Sequence, residues 1–210
     1  MGRKKCPSLA ISDLYEKIIM QRRGGWCFEL NLLLYSLLKS IGYEAYSVCC
    51  RITLGFEELI PIGHCAVICV IDRKKYYCDV GFGNIALQSA IPLDGTLSPY
   101  GFYIKSGHGW YSIWRSHPAD EELIRFADTE FKPIDFLALN AARATEQNGR
   151  FNAYLYVSIM DGDTRKLLND RGLLIYENGR KHLAAQPNSR RELSDILQEH
   201  FNIVFNFAAV

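Results

Sequence analysis

The stretch from residue 23 to residue 31 reads RGGWCFELN, in which a glycine pair and a tryptophan precede a cysteine and the start of a helical pattern. Gly42 supplies a stop signal at the far end of that pattern. The apolar residues between recur at the spacing of one helix face, at Leu30, Leu33, Leu34, Leu37, Leu38 and Ile41. The stretch therefore predicts an amphipathic helix over residues 27–41, with Cys27 in its first turn.

A cysteine in the first turn of a helix lies beside unpaired backbone N–H groups and the positive end of the helix dipole, and both favour the thiolate over the thiol. The thiolate is the nucleophilic form, so Cys27 is a candidate catalytic nucleophile. The alternative is structural, because most free cysteines are small buried hydrophobic residues.

The composition is that of an ordinary globular protein: 210 residues, 49% hydrophobic and 22% charged, with a net charge of +1. Because the basic run at residues 3–5 is short, we expect neither nucleic acid nor a membrane surface as a partner. The seven cysteines are irregularly spaced and no apolar signal segment comes first, so we expect a cytoplasmic protein. A monomer is the default expectation, since no long heptad series is present.

The order of elements predicts an α+β fold of three lobes: N-terminal helices (1–42), a central antiparallel β-barrel or sheet (43–115) and a C-terminal α/β lid (116–210). A polar stretch at 116–128 separates the last two lobes. Helices are expected over 12–21 with Ser12 as the cap, 27–41, 133–144 and 189–201, and strands over 43–52, 64–71, 76–80, 101–105, 110–114, 151–160 and 172–177.

A cysteine nucleophile needs a base, usually a histidine that is held by an acidic group. His64 opens an apolar strand, and Asp79 closes the next one, just before a Gly-Phe-Gly run. A hairpin turn over 72–75 places Asp79 opposite Ile68, on the same face as His64 but about 13 Å from it along the strand. Direct contact then needs a bulge or a strong twist. The alternatives are a surface histidine and an aspartate that caps the following turn.

Metal binding is a competing interpretation of His64, Cys65, Cys69 and Cys78. Neighbouring His64 and Cys65 point to opposite faces of a strand, and no closely spaced pair of ligands lies on a turn. We therefore expect no metal site.

Three blocks together resemble the signatures of the arylamine N-acetyltransferase family: RGGWC at residues 23–27, His64, and DVGFG at residues 79–83. Their order and spacing agree with the family. The resemblance extends to Phe131, Pro133, Asp135 and Asn140 in the third lobe and to a final helix that ends in Phe201 and Asn202, so it covers nearly the whole chain.

The resemblance implies an enzyme with a thiol-protease-like Cys-His-Asp core, which transfers an acetyl group from acetyl-CoA to an aromatic amine, hydrazine or hydroxylamine in xenobiotic metabolism. Cys27 would be the nucleophile, His64 the base and orienting cation, and Asp79 the group that fixes the imidazole. An acetyl thioester on Cys27 gives ping-pong kinetics. Acetyl-CoA would be a co-substrate, with no tightly bound cofactor.

The same resemblance places substrate and donor contacts on two loops. The acceptor pocket would be lined by Phe82, Asn84 and Ala86, which follow Asp79. Ile60, Pro61 and Gly63, before the histidine, would lie near CoA and the entering acyl group.

The chain departs from the family pattern in two places. Few residues precede Ser12, where family members carry several tens, and residues 144–149 read ATEQNG in place of a loop rich in Ser, Thr and Pro near CoA. Glu146 adds a negative charge there, so the affinity or identity of the donor is expected to differ. Two alternatives follow: a shortened, inactive relative, or another Cys-His-Asp thiol acyltransferase or hydrolase.

Overall fold

Two helical segments precede the sheets in the computed structural model, which describes residues 6–56, 60–83, 85, 87–145, 154–177 and 179–204. Helix α1 (Ile11–Leu14) continues into a π-helical segment (Tyr15–Met20), and α2 spans Cys27–Ser40. Both predicted helices are confirmed. The predicted Ser12 cap is wrong, because Ser12 lies inside α1 and Ala10 precedes it without a side-chain cap.

The start of α2 is held by the buried carboxylate of Glu29. Its Oε2 accepts the Trp26 N–H at 3.1 Å, and its Oε1 pairs with Lys17 Nζ at 2.6 Å. A carboxylate near the first turn also compensates the positive end of the helix dipole. These contacts join α2 to the preceding helical segment and fix the position of Cys27.

The face of α2 that packs inward differs from the predicted one. Its buried residues are Phe28, Glu29, Asn31 and Leu32, whereas Leu37 is 54% exposed and Ile41 60% exposed. The prediction was wrong because it counted only apolar residues. The inward face carries Asn31, a polar residue whose burial depends on hydrogen bonds that periodicity does not reveal.

A seven-stranded antiparallel sheet forms the centre of the molecule, in the order β4-β3-β2-β1-β7-β6-β5. Its edge strands β4 and β5 contact each other, so the sheet curls into a nearly closed barrel. The strands are β1 (Glu44–Ile52), β2 (His64–Ile71), β3 (Lys74–Cys78), β4 (Ile91–Pro92), β5 (Phe102–Gly107), β6 (Trp110–Arg115) and β7 (Glu121–Phe126).

The interior of this barrel is apolar and almost fully buried. Tyr77, Phe126 and Tyr111 stack in series, with ring centroids 5.0 Å and 5.5 Å apart. The remaining core residues include Val48, Ile68, Ile91, Ile104, Ile113 and Ile124. This packing fixes the strands that carry His64 and the loop after β3.

The β2–β3 hairpin is tighter than predicted. Asp72 and Arg73 both have positive φ, at 50° and 63°, as a two-residue hairpin turn requires. Val67 therefore pairs with Cys78, and Asp79 follows level with Ala66, two residues from His64 instead of four. The shorter turn brings the carboxylate to the imidazole without the expected bulge.

A second, four-stranded antiparallel sheet has the order β11-β10-β9-β8, with β8 (Tyr156–Asp161), β9 (Thr164–Asn169), β10 (Gly172–Glu177) and β11 (Arg180–Ala185). Helix α3 (Phe136–Thr145) precedes it after a 3₁₀ turn (Pro133–Asp135), and α4 (Arg190–Phe201) follows it. Leu168 and Leu173 pack against Ile196, Leu197 and Phe201 of α4. The α+β architecture is confirmed.

Strand β7 lies in the predicted polar stretch and continues the central sheet beyond residue 115. Its charged residues are paired across and along the sheet, Glu121 with Arg115 and Glu122 with Arg125, while Leu123 and Ile124 are buried. Because three of its six residues are charged and partly exposed, β7 does not show the alternating apolar pattern that predicts a strand.

Among the described residues, none of the helices is both long and apolar enough to cross a membrane.

Candidate active site

Three elements meet at Cys27, the first residue of α2. Strand β2 packs against this helix, and the Cys65 thiol donates to the Cys27 carbonyl at 3.4 Å. The loop after β3 approaches from the other side, so closely that a Cβ added to Gly81 would lie 2.6 Å from Cys27 Cα. Cys27 is half-buried at this junction.

His64 and Asp79 form a buried ion pair beside Cys27. His64 Nε2 lies 2.6 Å from Asp79 Oδ2, and their side chains are 1% and 0% exposed. Cys27 lies close enough to His64 to act on its charge, and it helps to raise the pKa of the imidazole. Because Asp79 occupies Nε2, the remaining ring nitrogen, Nδ1, is the one that serves Cys27.

Four donors surround the Asp79 carboxylate. Oδ1 accepts from Asn31 Nδ2 and from the Gly81 N–H, each at 2.8 Å, and Oδ2 accepts from His64 and from the Tyr77 hydroxyl at 3.0 Å. Burial alone would raise the pKa of Asp79, but the His64 charge and these hydrogen bonds lower it. Asp79 is therefore an anion at neutral pH.

The imidazole of His64 is a cation at neutral pH. Burial alone would lower its pKa, but Asp79 and Cys27 outweigh that effect and raise the pKa to about 10. An imidazolium beside a cysteine stabilises the thiolate. The arrangement can therefore supply a nucleophile and a proton-transfer group to an acyl carbon.

Sequence reasoning missed Asn31, which links all three elements of the site. Its Nδ2 donates to Asp79 Oδ1 and to the Cys65 carbonyl at 2.7 Å, and its Oδ1 accepts the Val80 N–H at 3.0 Å. Asn31 lies four residues after Cys27, on the same helix face. That spacing, together with a polar residue inside an apolar helix, was the available signal.

We expect Asn31→Ala to lower the free energy of unfolding by about 2–4 kcal/mol, because the Cys65 carbonyl and the Val80 N–H lose their buried partner. The rate of catalysis should fall about 10- to 100-fold as Asp79 loses a donor. Urea unfolding and initial rates measure the two effects. Exposed Asn188→Ala is the control, and equal behaviour of the two variants would contradict this role.

Gly81→Ala should lower activity about 10- to 100-fold, because the new Cβ meets backbone that cannot yield and pushes the Asp79 loop away from Cys27. Gly107→Ala is the matched control: it has open space around the added Cβ. Rates and melting temperatures of both variants test the prediction. Wild-type activity in Gly81→Ala would show that the close approach is not needed.

A narrow pocket opens at Cys27, with room for about one water molecule. Among the described residues it is lined by Trp26, Cys27, Phe28, Gly63 and Arg143. Gly63 lies beside Cys27 in this pocket. No sequence pattern pointed to Arg143, because its position depends on how α3 packs.

The other predicted contact residues have different surroundings. Phe82 is buried, and its ring centroid lies 5.9 Å from that of His64. The Ile60 carbonyl accepts a hydrogen bond from the Arg51 guanidinium, and Pro61 is exposed. Neither Ile60 nor Pro61 is among the described residues that line the pocket at Cys27. Asn84, Ala86 and Glu146 lie outside the described residues.

The second sheet anchors the Gly-Phe-Gly loop. The Gly83 carbonyl accepts from the Tyr156 hydroxyl and from Arg165 Nη2, each at 2.8 Å. These contacts hold the segment that carries Phe82 against strands β8 and β9 of the second sheet. Within the described ranges, no three His, Cys, Asp or Glu side chains are grouped as a metal site requires.

The fold and the site define an α+β protein in which Cys, His and Asp side chains converge at a helix N-terminus against an antiparallel barrel. An N-acetyltransferase family model matches residues 2–210. The chain belongs to the arylamine N-acetyltransferase family of acyltransferase enzymes.

Individual relatives agree with this assignment. The chain is 28% identical to the arylamine N-acetyltransferase of Escherichia coli over 198 residues, which cover 90% of this chain and 69% of that enzyme. The fold is similar to the solved Salmonella typhimurium arylamine N-acetyltransferase, with a TM-score of 0.88 and 24% identity over 95% of this chain and 76% of that one. It is also similar to the Mycobacterium marinum enzyme in complex with CoA, with a TM-score of 0.83 and 21% identity over 93% of this chain and 76% of that chain.

Proposed function

We propose that this protein transfers an acetyl group from acetyl-CoA to an arylamine or hydrazine by a ping-pong mechanism through an acetyl-Cys27 thioester. The observation that carries the proposal is the buried His64–Asp79 pair, whose imidazole interacts electrostatically with Cys27 at the start of α2. The activity by which the E. coli relative is named and the CoA in the M. marinum complex support the choice of substrates.

In the first half-reaction the Cys27 thiolate attacks the acyl carbon of acetyl-CoA. A C–S bond to Cys27 forms, the C–S bond to CoA breaks, and CoA leaves as a thiolate that takes up a proton. His64 remains charged through this step because Asp79 stabilises the imidazolium.

In the second half-reaction the amine nitrogen attacks the thioester carbon. The N–C bond forms, the Cys27 C–S bond breaks to regenerate the thiolate, and the amine nitrogen releases its proton to solvent, since His64 is already protonated. Arylhydroxylamines would react through oxygen by the same steps. The buried Phe82 ring packs beside the His64 imidazole, with the two ring centroids 5.9 Å apart.

Initial rates test the proposal, with acetyl-CoA and either 4-aminobenzoate or phenylhydrazine varied together. Parallel double-reciprocal lines are expected, since one product leaves before the second substrate binds. Intersecting lines would contradict the acetyl-enzyme. Turnover of glutamine or peptide amides without acetyl-CoA would favour another thiol enzyme, and a folded protein with no turnover would favour an inactive relative.

We also propose a cytoplasmic location. All seven cysteines lie within the described residues and are free thiols, as in proteins of reducing compartments. A role in xenobiotic metabolism follows from acetylation of foreign aromatic amines and hydrazines. Recovery of the protein outside the cytosolic fraction of fractionated cells would contradict this location.

A further inference from the structure

Arg143 brings a positive charge into the pocket of the nucleophile. It lies near the end of α3, half-buried, and lines the pocket together with Cys27. The other described lining residues are Trp26, Phe28 and Gly63, which are uncharged. Because Arg143 and Cys27 line the same pocket, Arg143 is near enough to an acyl group on the Cys27 sulfur to contact its far end.

The guanidinium lies directly against Gly63. A Cβ at that position would be 1.9 Å from Arg143 Nη2 and 2.7 Å from its Cζ. Any larger residue at 63 would displace the end of the arginine side chain. Since Gly63 precedes His64 at the start of β2, this approach sets the guanidinium beside the catalytic elements.

We propose that Arg143 makes the protein select acyl-CoA donors whose acyl group ends in a carboxylate, of the malonyl or succinyl type. This inference rests on the proposed acyl-Cys27 mechanism and concerns its donor. A guanidinium recognises a carboxylate through two parallel N–H···O bonds, which are strong in a site shielded from water. An uncharged acyl chain of the same shape makes no such bonds with the guanidinium.

The carboxylate needs only part of the guanidinium. Arginine carries five N–H donors, so a bidentate carboxylate uses two and leaves the others for contacts within the protein. The acyl transfer itself is unchanged: the Cys27 sulfur bonds to the thioester carbon, CoA leaves as a thiolate, and the distal carboxylate keeps its charge throughout.

Donor competition tests the proposal. The wild-type protein is mixed separately with acetyl-, malonyl-, succinyl- and isovaleryl-CoA, without acceptor, and the rate of acyl-Cys27 formation is followed by intact-mass spectrometry. Isovaleryl is the uncharged isostere of malonyl. We expect malonyl-CoA to acylate Cys27 roughly 10- to 100-fold faster than isovaleryl-CoA, the range of a charge-assisted hydrogen-bonded contact.

Arg143→Gln keeps most of the side-chain length and removes the charge, so the ratio of the malonyl-CoA rate to the isovaleryl-CoA rate should fall to about one. Arg143→Lys should retain part of the preference. The control is Arg180→Gln, which changes an exposed arginine on β11 and should leave the ratio unchanged.

Two results would overturn the proposal: equal wild-type rates with malonyl- and isovaleryl-CoA, or a preference that survives in Arg143→Gln. Because the wild-type ratio is decisive alone, misfolding of a variant does not rescue the idea. Acetylation without a malonyl preference would defeat only this inference. A protein that no acyl-CoA labels would defeat the acetyl-transfer proposal as well.

Discussion

Replacing Asp79 with Asn should lower the rate of acyl transfer at pH 7 by about 10³- to 10⁴-fold. Asp79 holds His64 through a 2.6 Å contact with Nε2 and supplies the charge that keeps the buried ring protonated. An amide offers no charge and presents the wrong donor or acceptor to the ring. The imidazole then loses both its orientation and its positive charge beside Cys27.

The pKa of His64 is a direct measure of the role of Asp79. In the wild-type protein the pKa of His64 is raised to about 10, so the ring is charged below that pH and loses its proton above it. The ion pair of His64 with Asp79 contributes fully to the free energy of unfolding below the ordinary histidine pKa of about 6.5. This contribution is lost as the pH rises through the pKa of His64 in the folded protein. In Asp79→Asn the imidazole of His64 stays buried but loses the anion that compensates for its burial, so the pKa of His64 should fall below about 6.5.

Imidazole NMR resonances, assigned with a His64→Gln variant, measure this shift. Asp94→Asn, which changes an exposed aspartate, is the control and should leave the His64 titration unaltered. The loss of the ion pair should also reduce the free energy of unfolding by about 3–5 kcal/mol. A His64 that titrates at the same pH in both proteins would contradict the role of Asp79.

Cys27→Ser should abolish acetyl transfer, with a loss of at least about 10³-fold. A hydroxyl is far less acidic than a thiol, so the imidazolium of His64 does not produce a serine alkoxide at neutral pH. The substitution changes one atom, and the contacts that position α2 run through Glu29 and Asn31, so the fold should persist.

Cys69→Ser is the matched control for this substitution. Cys69 is a free thiol near the opposite end of β2 from His64, and its replacement should leave turnover within about twofold. Both variants are compared by initial rate and by circular dichroism. Residual transfer in a folded Cys27→Ser protein would identify a different nucleophile.

Several elements were readable from the sequence because one strong pattern determined each. Strands β2 and β10 and helix α2 match their predicted ranges within a residue. Strands β9 and β11 were missed because both mix basic side chains with apolar ones, and β11 is mostly exposed, so neither shows a buried alternating face. Their existence depends on pairing with β10, a tertiary contact.

The candidate site likewise has residues that local sequence patterns predicted and others whose positions depend on tertiary packing. The residues of RGGWC and DVGFG are local patterns, and the structure brings Cys27, His64 and Asp79 together. Their exact approach required the two-residue turn at Asp72 and Arg73, which lacks the glycine that usually marks such a turn. Arg143 reaches the pocket only through the packing of α3, which no local pattern encodes.

The central claim is that Cys27 carries the acyl group, and intact-mass spectrometry after mixing with acetyl-CoA, without acceptor, tests it most directly. The account predicts one acetyl adduct that is absent from Cys27→Ser and disappears from the wild-type protein when an arylamine is added. An adduct that persists in Cys27→Ser, or one that the amine does not discharge, would contradict it.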